Sequence, residues 1–175
     1  NKENFTVYEE GKQVDIDAFD FRASSLDLVF IFDDTGSMSD EIDGAKRGIT
    51  KLTNAVADRN IDAQYGLVSF KDDVEVDQRL TSDADQIKHK IDHLSASGGG
   101  DYPEANFDAI EEALGLNLRK DAETVFVDIT DAISHFRNDG SGYSDYLLKE
   151  VASDLNEAGI TFISIAPDRD QEGGE

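Results

Sequence analysis

Residues 27–38 read DLVFIFDDTGSM, an apolar run that ends abruptly in acids, hydroxyls and a glycine. The near-continuous apolar character of Leu28–Phe32 is typical of a central strand in a parallel sheet, where both faces are covered. Residues 33–39 then predict a loop, and apolar residues at helical spacing from Asp40 onward predict a helix. The stretch therefore indicates a strand–loop–helix unit, which is the building block of an α/β domain.

The same alternation continues along the chain. The turn at residues 71–73 is too short for a crossover, so the strands on either side of it are expected to pair antiparallel. We therefore predict a doubly wound α/β fold with a mostly parallel sheet, one antiparallel edge strand and helices on both faces. The predicted strands are 26–32, 63–70, 74–80, 125–129 and 160–165, and the predicted helices are 40–57, 83–94, 104–116 and 143–158.

A short hairpin is predicted before this domain. Residues 5–8 and 13–16 alternate in polarity around Glu10-Gly11, as hairpin strands do. Residues 1–25 are therefore interpreted as an N-terminal β-hairpin extension, and residues 26–175 as the α/β domain.

The composition excludes several functions. The 175 residues carry 39 acids against 16 Lys and Arg, a net charge of −23, which argues against binding to nucleic acid or anionic lipid. No apolar run approaches the roughly 18–20 residues that a membrane helix needs, so no membrane insertion is expected. The absence of Cys excludes disulfide scaffolds, thiol catalysis and Cys-based zinc sites. Because concentrated salt screens charge, the acidity favours a halophilic source.

Three polar loops follow predicted strands or precede helices at one edge of the sheet. Asp33, Thr35 and Ser37 have the spacing D-x-[ST]-x-S, and a carboxylate with two hydroxyls is a hard oxygen set suited to Mg²⁺, Ca²⁺ or Mn²⁺. The glycine loop 98–100 leads to Glu104, and Asp131 follows the strand 125–129. Because ligands bind at the carboxyl ends of strands in such sheets, these loops are expected to converge.

With these residues in place, the chain resembles a von Willebrand factor type A domain over roughly residues 26–167, which implies a Rossmann-like fold. The D-x-[ST]-x-S loop is similar to that family's metal-ion-dependent adhesion site. The D-x-P-E motif at residues 101–104 is closest to the I-like domain of integrin beta subunits. The resemblance implies a main Mg²⁺ (or Mn²⁺) site formed by Asp33, Thr35, Ser37, Glu104 and Asp131. It also implies an adjacent Ca²⁺ site at Asp40, Glu41 and Asp131, and a third site at Asp101 and Glu104.

The sequence departs from the family pattern at several positions. Integrin beta subunits use an Asn for the third site where this chain has Gly99, and their cysteine-bonded loop features are absent. The usual final helix is not found after Pro167. The chain begins without Met and ends without a closing element, so we expect a piece of a larger multidomain protein. The glycosylation sequon at residues 4–6 and the composition together favour an exported, extracellular or cell-surface protein of a halophilic archaeon or bacterium.

Several other kinds of protein share part of this residue pattern. A haloacid dehalogenase-like phosphatase needs a second Asp two residues after Asp33, and that position is Thr35. An aspartic protease needs two such carboxylates on an all-β scaffold. An intracellular scaffold domain, as in metal-chelatase or ATPase complexes, would use the same metal site for assembly. His89 and His93 are at a metal-binding spacing but are interpreted as a solvated helix face.

The resulting hypothesis is a non-enzymatic adhesion domain. Its divalent cation would capture an acidic residue presented by a protein or glycan partner.

Overall fold

A computed structural model describes residues 7–9, 12–14, 25–100 and 103–166 of the chain. Its first two strands, β1 (Val7–Glu9) and β2 (Lys12–Val14), form a separate antiparallel pair with Val7 opposite Val14. This pairing confirms the predicted hairpin, whose Glu10-Gly11 turn lies outside the described residues. The proposed division of the chain at residue 25 stays a prediction.

The main sheet has five strands, and it confirms the predicted fold class. From one edge to the other, the order is β5-β4-β3-β6-β7, with β3 at the centre. Neighbouring strands are parallel except for the pair formed by β4 and β5, as the short turn between them predicted. The strands are β3 (Ser25–Asp33), β4 (Ala63–Phe70), β5 (Val74–Thr81), β6 (Ala122–Ile129) and β7 (Thr161–Ile165).

Four helices cover the two faces of this sheet. Alternate residues of β3 face opposite sides, so Leu28 and Phe30 pack with residues of α1 and α2, whereas Val29 and Ile31 pack with residues of α3 and α4. An unbroken apolar strand is therefore needed at the centre, since both of its faces are buried. The helices are α1 (Ile42–Asp58), α2 (Ala84–His93), α3 (Asn106–Leu114) and α4 (Leu148–Glu157).

The helix starts show where the sequence prediction was wrong. The first helix begins at Ile42 rather than Asp40, because a 3-10 turn at Gly36–Ser39 comes before it and buries Met38. The third begins at Asn106, and the last begins at Leu148 rather than Tyr143. Asp83 caps the second helix, and its side chain accepts hydrogen bonds from Asp85 N and Gln86 N.

The flank formed by α1 and β7 is open to solvent. Leu52 is 40% exposed, although Ile49 and Val56, which come before and after it on α1, are both buried. A groove of about 560 Å³ runs along α1 and is lined in part by Gly44, Gly48, Leu52 and Ile165. All five residues of β7 are exposed.

Two remaining sequence expectations can be checked against the helices. His89 and His93 lie exposed on α2 with ring centroids 4.2 Å apart, and His93 Nδ1 lies 2.7 Å from the His89 carbonyl oxygen. They form a solvated helix face, as predicted. Within the ranges that the structure describes, no helix is both long enough and apolar enough to cross a bilayer.

Candidate functional site

The candidate site lies at the carboxyl ends of β3 and β6, which are parallel neighbours. Phe32 is opposite Ile129 in the register, so Asp33 and Thr130 leave the sheet side by side. The Thr130 hydroxyl donates a hydrogen bond of 2.7 Å to Asp33 Oδ2. The topology thus places the two polar loops against each other, as expected for strand ends in an open α/β sheet.

A chain of short hydrogen bonds connects four of the predicted ligands. Thr35 Oγ1 donates to Asp33 Oδ1 at 2.6 Å, and the Thr35 backbone N–H donates to the same oxygen at 3.0 Å. Thr35 Oγ1 and Ser37 Oγ lie 2.9 Å apart, and Ser37 Oγ donates to Asp131 Oδ1 at 2.9 Å. The structure therefore brings Asp33, Thr35, Ser37 and Asp131 into one network.

The residues of this network differ in how deeply they are buried. Asp33 is fully buried and Thr35 is 1% exposed, whereas Ser37 is exposed and Asp131 is half-buried. A group bound beside Asp33 and Thr35 would be shielded by protein, while Ser37 and Asp131 face solvent. The network is therefore accessible to solvent at Ser37 and Asp131.

The neighbouring carboxylate of Asp34 takes a different role. It points to Lys71, whose Nζ lies 2.5 Å from Asp34 Oδ2. Burial raises the pKa of Asp34, and the hydrogen bond and charge of Lys71 partly offset this rise. The two successive acids therefore differ in their partners. Asp34 has a cationic side chain beside it, whereas Asp33 accepts hydrogen bonds from hydroxyl and amide groups.

The glycine loop fits closely against the first loop. Gly36 N–H donates to the Gly98 carbonyl oxygen at 2.9 Å, and Ser97 N–H donates to the Asp34 carbonyl oxygen at 3.0 Å. A Cβ at Gly36 would lie 3.2 Å from that Gly98 oxygen, so a larger residue would push the loops apart. Glycine is required here by the close approach of two backbones.

Glu104 lies on the far side of Gly99 from this contact. A Cβ on Gly99 would stand 3.1 Å from Glu104 Oε1 and 3.4 Å from Thr35 Cβ, so Glu104 and Thr35 flank the same glycine. Gly99 has φ +89°, a conformation that favours glycine. Glu104 itself is 3% exposed. Its carboxylate is thus within the same small region as Thr35.

Backbone hydrogen bonds hold Glu104 in a strand-like bridge rather than in a helix. Its N–H donates to the Ile133 carbonyl oxygen at 3.0 Å, and His135 N–H donates to the Glu104 carbonyl oxygen at 2.8 Å. This parallel bridge with Ser134 explains why α3 begins later than predicted. It also joins the Glu104 loop to the segment that follows Asp131.

The residues predicted for the adjacent and third sites are placed differently. Asp40 and Glu41 are exposed and line the mouth of the α1 groove together with Thr130. Asp101 lies outside the described residues.

Two residues that the sequence analysis did not select also lie at this site. Thr130 donates to Asp33, and a Cβ on Gly100 would lie 3.0 Å from Asp72 Oδ2. Asp72 follows β4, so the same rule about strand ends could have found it. Thr130 could be recognised only through the β3–β6 register.

The donor set fits a hard divalent cation. Among the described residues, no three carboxylates or imidazoles converge on one point, so any ion would need the hydroxyls of Thr35 and Ser37. These hydroxyls lie 2.9 Å apart, and both belong to the network that ends at Asp33 and Asp131. Oxygen donors of this kind suit Mg²⁺ or Mn²⁺ better than softer metals.

Comparison with protein families gives a match over residues 27–143 to the model described as von Willebrand factor A domain. Human integrin beta-4 is 26% identical over 161 residues, covering 75% of this chain and 9% of that protein. Human hemicentin-1 is 30% identical over 118 residues, covering 66% of this chain and 2% of that protein. The chain thus spans only a small part of these relatives.

Solved structures with the same fold come from distant proteins. Proximal thread matrix protein 1 of the mussel byssus has a TM-score of 0.66 at 18% identity and covers 82% of this chain and 38% of that one. BatB of Bacteroides thetaiotaomicron has a TM-score of 0.62 at 19% identity, covering 81% and 66%. The von Willebrand factor domain of the pili tip protein Mfa5 from Porphyromonas gingivalis has a TM-score of 0.56 at 14% identity, covering 63% and 39%. At these identities the likeness concerns the fold.

Proposed function

The chain belongs to the von Willebrand factor A domain family, and from this premise we propose that it is a binding domain that captures a partner's carboxylate through a divalent cation. Domains of this family are typically interaction and adhesion domains. In this proposal Asp33, Thr35 and Ser37 hold Mg²⁺ or Mn²⁺, and Glu104 and Asp131 complete the site directly or through water.

The buried carboxylate of Asp33 is the observation that carries the proposal. It is 0% exposed, and its described hydrogen bonds come from the Thr35 amide, the Thr35 hydroxyl and the Thr130 hydroxyl, which are all neutral. A buried charge is costly unless an opposite charge or a metal compensates it. A cation supplied from solution would meet that need.

The hydroxyl ligands explain why the cation would bind a further acid. Hydroxyls are neutral, so Thr35 and Ser37 leave most of the ion's positive charge uncompensated. A cation of this kind supplies an electrophilic position for an incoming carboxylate. Ser37 is exposed, so the partner would approach from the solvent side of the network.

The same contacts favour binding over catalysis. A phosphatase of the kind considered above needs an acid/base two residues after the nucleophile. At that position the Thr35 hydroxyl donates to Asp33 at 2.6 Å and is part of the network. We therefore expect no hydrolysis to accompany binding.

The proposal extends to the setting of the domain. Integrin beta-4 is a relative of which this chain matches 9%, which supports a protein partner and a larger multidomain chain. The same comparison supports an extracellular or cell-surface location. A Ca²⁺ ion at Asp40, Glu41 and Asp131, and a halophilic source for a chain of net charge −23, remain part of the proposal.

Water proton relaxation with Mn²⁺ tests the proposal without knowledge of the partner. Bound Mn²⁺ with an open position holds exchangeable water, so the relaxation enhancement should rise on binding and fall when acetate is added. Formamide, which is neutral, should leave it unchanged. Ser37→Ala should abolish the enhancement, and Ser39→Ala, an exposed serine two residues on, is the matched control. Binding of Mn²⁺ that survives Ser37→Ala would contradict the proposal.

A further inference from the structure

The segment from Asp131 to the first residue of α4 exposes four large apolar side chains. Ile133 is 63% exposed, Phe136 48%, Tyr143 45% and Leu148 66%. The other strongly exposed apolar residues of the described structure belong to α1 and β7. Exposed apolar groups gathered in one segment mark an interaction surface more often than scattered ones do.

Two of these side chains line a groove of about 400 Å³ beside the candidate metal site. We define this apolar groove by all its lining residues, which are Phe107, Ser134, Phe136, Leu147, Leu148 and Lys149. It is connected to the site through the backbone, because Ser134 forms the bridge with Glu104. Asp131, at the rim of the site, is only three residues before Ser134.

Several hydrogen bonds fix the walls of the groove. The Phe107 N–H donates to Ser134 Oγ at 3.1 Å, and Arg137 N–H donates to the Tyr146 carbonyl oxygen at 2.8 Å. Buried His135 contacts Asp139 through Nδ1 and Oδ2, 2.7 Å apart. Phe136 is therefore held outward between two anchored neighbours. A preformed surface loses less conformational entropy when it binds.

The lining of the apolar groove includes one charged side chain. Lys149 lines it, in a chain that has 16 Lys and Arg against 39 Asp and Glu. A local positive charge beside apolar walls complements a segment that carries both acidic and apolar groups. Such a segment would meet the divalent cation at one end and the apolar groove at the other.

From this arrangement we infer that the partner is an extended peptide segment with a bulky apolar side chain close to its acidic residue. The carboxylate binds the cation, and the apolar side chain inserts between Phe136 and Leu148. The chain runs from Asp131 to Phe136 in five residue steps, which span at most about 18 Å. The apolar side chain therefore stands within about five residues of the acid. This inference rests on the proposed function and adds the side-chain preference and its spacing.

Methyl NMR of the full chain with Mg²⁺ tests the inference with a defined set of probes. The probes are Gly/Ser peptides that carry one Asp and one Phe at increasing separations, and matched peptides with Asp alone or Phe alone. Peptides with Asp and Phe up to about five residues apart should bind most tightly and shift the Ile133 and Leu148 methyl signals. Leu148→Ala should weaken them about three- to tenfold. Leu52→Ala, an exposed leucine on α1, should not.

The outcomes separate the inference from the proposed function. Mg²⁺-dependent binding of all Asp peptides, equal at every separation and unchanged by Leu148→Ala, would overturn the inference and leave the proposed function standing. Failure of every Asp peptide to bind in a Mg²⁺-dependent way would overturn both. A Phe-only peptide that binds as tightly as the paired peptides would also overturn the inference, since the carboxylate would then be unnecessary.

Discussion

The two ends of the central strand hold buried acids in opposite ways. Asp27, near the start of β3, is fully buried and receives Arg119 Nε at 2.7 Å and the Arg119 backbone N–H at 2.6 Å. Asp33, at the other end, is equally buried but accepts only neutral donors among the described contacts. The chain supplies its own cation at the first end. At the second, we propose, it takes one from solution.

The first prediction concerns Asp27, which is paired with Arg119, and it has the largest expected effect on stability. Removing one partner of a buried ion pair leaves an uncompensated charge, so Arg119→Ala should lower the free energy of unfolding by about 3–5 kcal/mol. Urea denaturation measures this loss, which should be the same with and without Mg²⁺. Arg59→Ala, at an exposed arginine, serves as the control. A loss below about 1 kcal/mol would show that Asp27 does not depend on Arg119.

The second prediction concerns Asp33, the buried acid at the other end of β3. In EDTA, Asp33→Asn should be neutral or stabilising, because it removes a buried charge that only neutral groups solvate. Saturating Mg²⁺ should stabilise the unchanged protein by about 2.7 kcal/mol at 100 times its Kd, and Asp33→Asn should lose this response. Thermal unfolding in the two buffers measures both effects. The comparison would fail if Asp33→Asn were strongly destabilising in EDTA and still responded to Mg²⁺.

The third prediction concerns a buried acid for which we describe no contact with a cationic side chain and propose no metal ion. Asp128 on β6 is 3% exposed and accepts from Asn106 Nδ2 at 2.7 Å and Ser164 Oγ at 3.1 Å. Burial raises its pKa to about 6, although both hydrogen bonds act to lower it. The folded state therefore binds a proton more tightly than the unfolded state. Stability from this group should be full below about pH 4 and be lost as the pH rises through 6.

The measurement for this group is the pH dependence of urea unfolding. From pH 7 to pH 5 the unchanged protein should gain about 1–2 kcal/mol more than Asp128→Asn, which cannot titrate. Comparing the two proteins removes the contribution of the other carboxylates. Asp139, for example, has a lowered pKa, chiefly through its hydrogen bonds with Ser141, and is common to both. Equal pH profiles would show that Asp128 stays ionised in the fold.

The fourth prediction has the smallest expected effect on stability. If Asp40 and Glu41 bind the adjacent Ca²⁺ with Asp131, their double change to Ala should remove one bound Ca²⁺ and leave the Mn²⁺ at the main site. Equilibrium dialysis followed by elemental analysis counts both ions. A double Ala variant of Asp43 and Asp58 controls for the lost charge. An unchanged Ca²⁺ count would make Asp40 and Glu41 ordinary acids at the start of α1, where negative charge is favourable.

Much of the fold could be predicted because the central strands are apolar on both faces. Leu28–Phe32 fixes a strand with helices on either side, and the short turn at 71–73 fixes the antiparallel pair. Other features depend on contacts that periodicity does not contain. Leu52 has the right helical spacing for the core, yet it is 40% exposed and lines the groove along α1. The helix α4 also begins later than predicted, because residues 139–147 form a loop that hydrogen bonds of Asp139 and Arg137 stabilise.

The candidate site was predictable to the extent that its residues are close in sequence. The first loop has a ligand candidate at every second position, namely Asp33, Thr35 and Ser37. Their hydrogen-bond network follows from that spacing. Thr130 was missed because its hydrogen bond with Asp33 arises from the register of two strands almost a hundred residues apart in the chain. Asp72 was missed although it follows β4, where the rule about strand ends could have found it.

The exposed edge formed by β7 has a consequence for handling the protein in solution. Among the described strands, β7 pairs only with β6, and Phe162, Ile163 and Ile165 are all more than a third exposed. An apolar edge of this kind is a template on which a second copy can add a strand. The net charge of −23 keeps two copies apart at low ionic strength. Salt that relieves repulsion within the domain will also weaken repulsion between domains, so colloidal stability and folding stability should respond to salt in opposite directions.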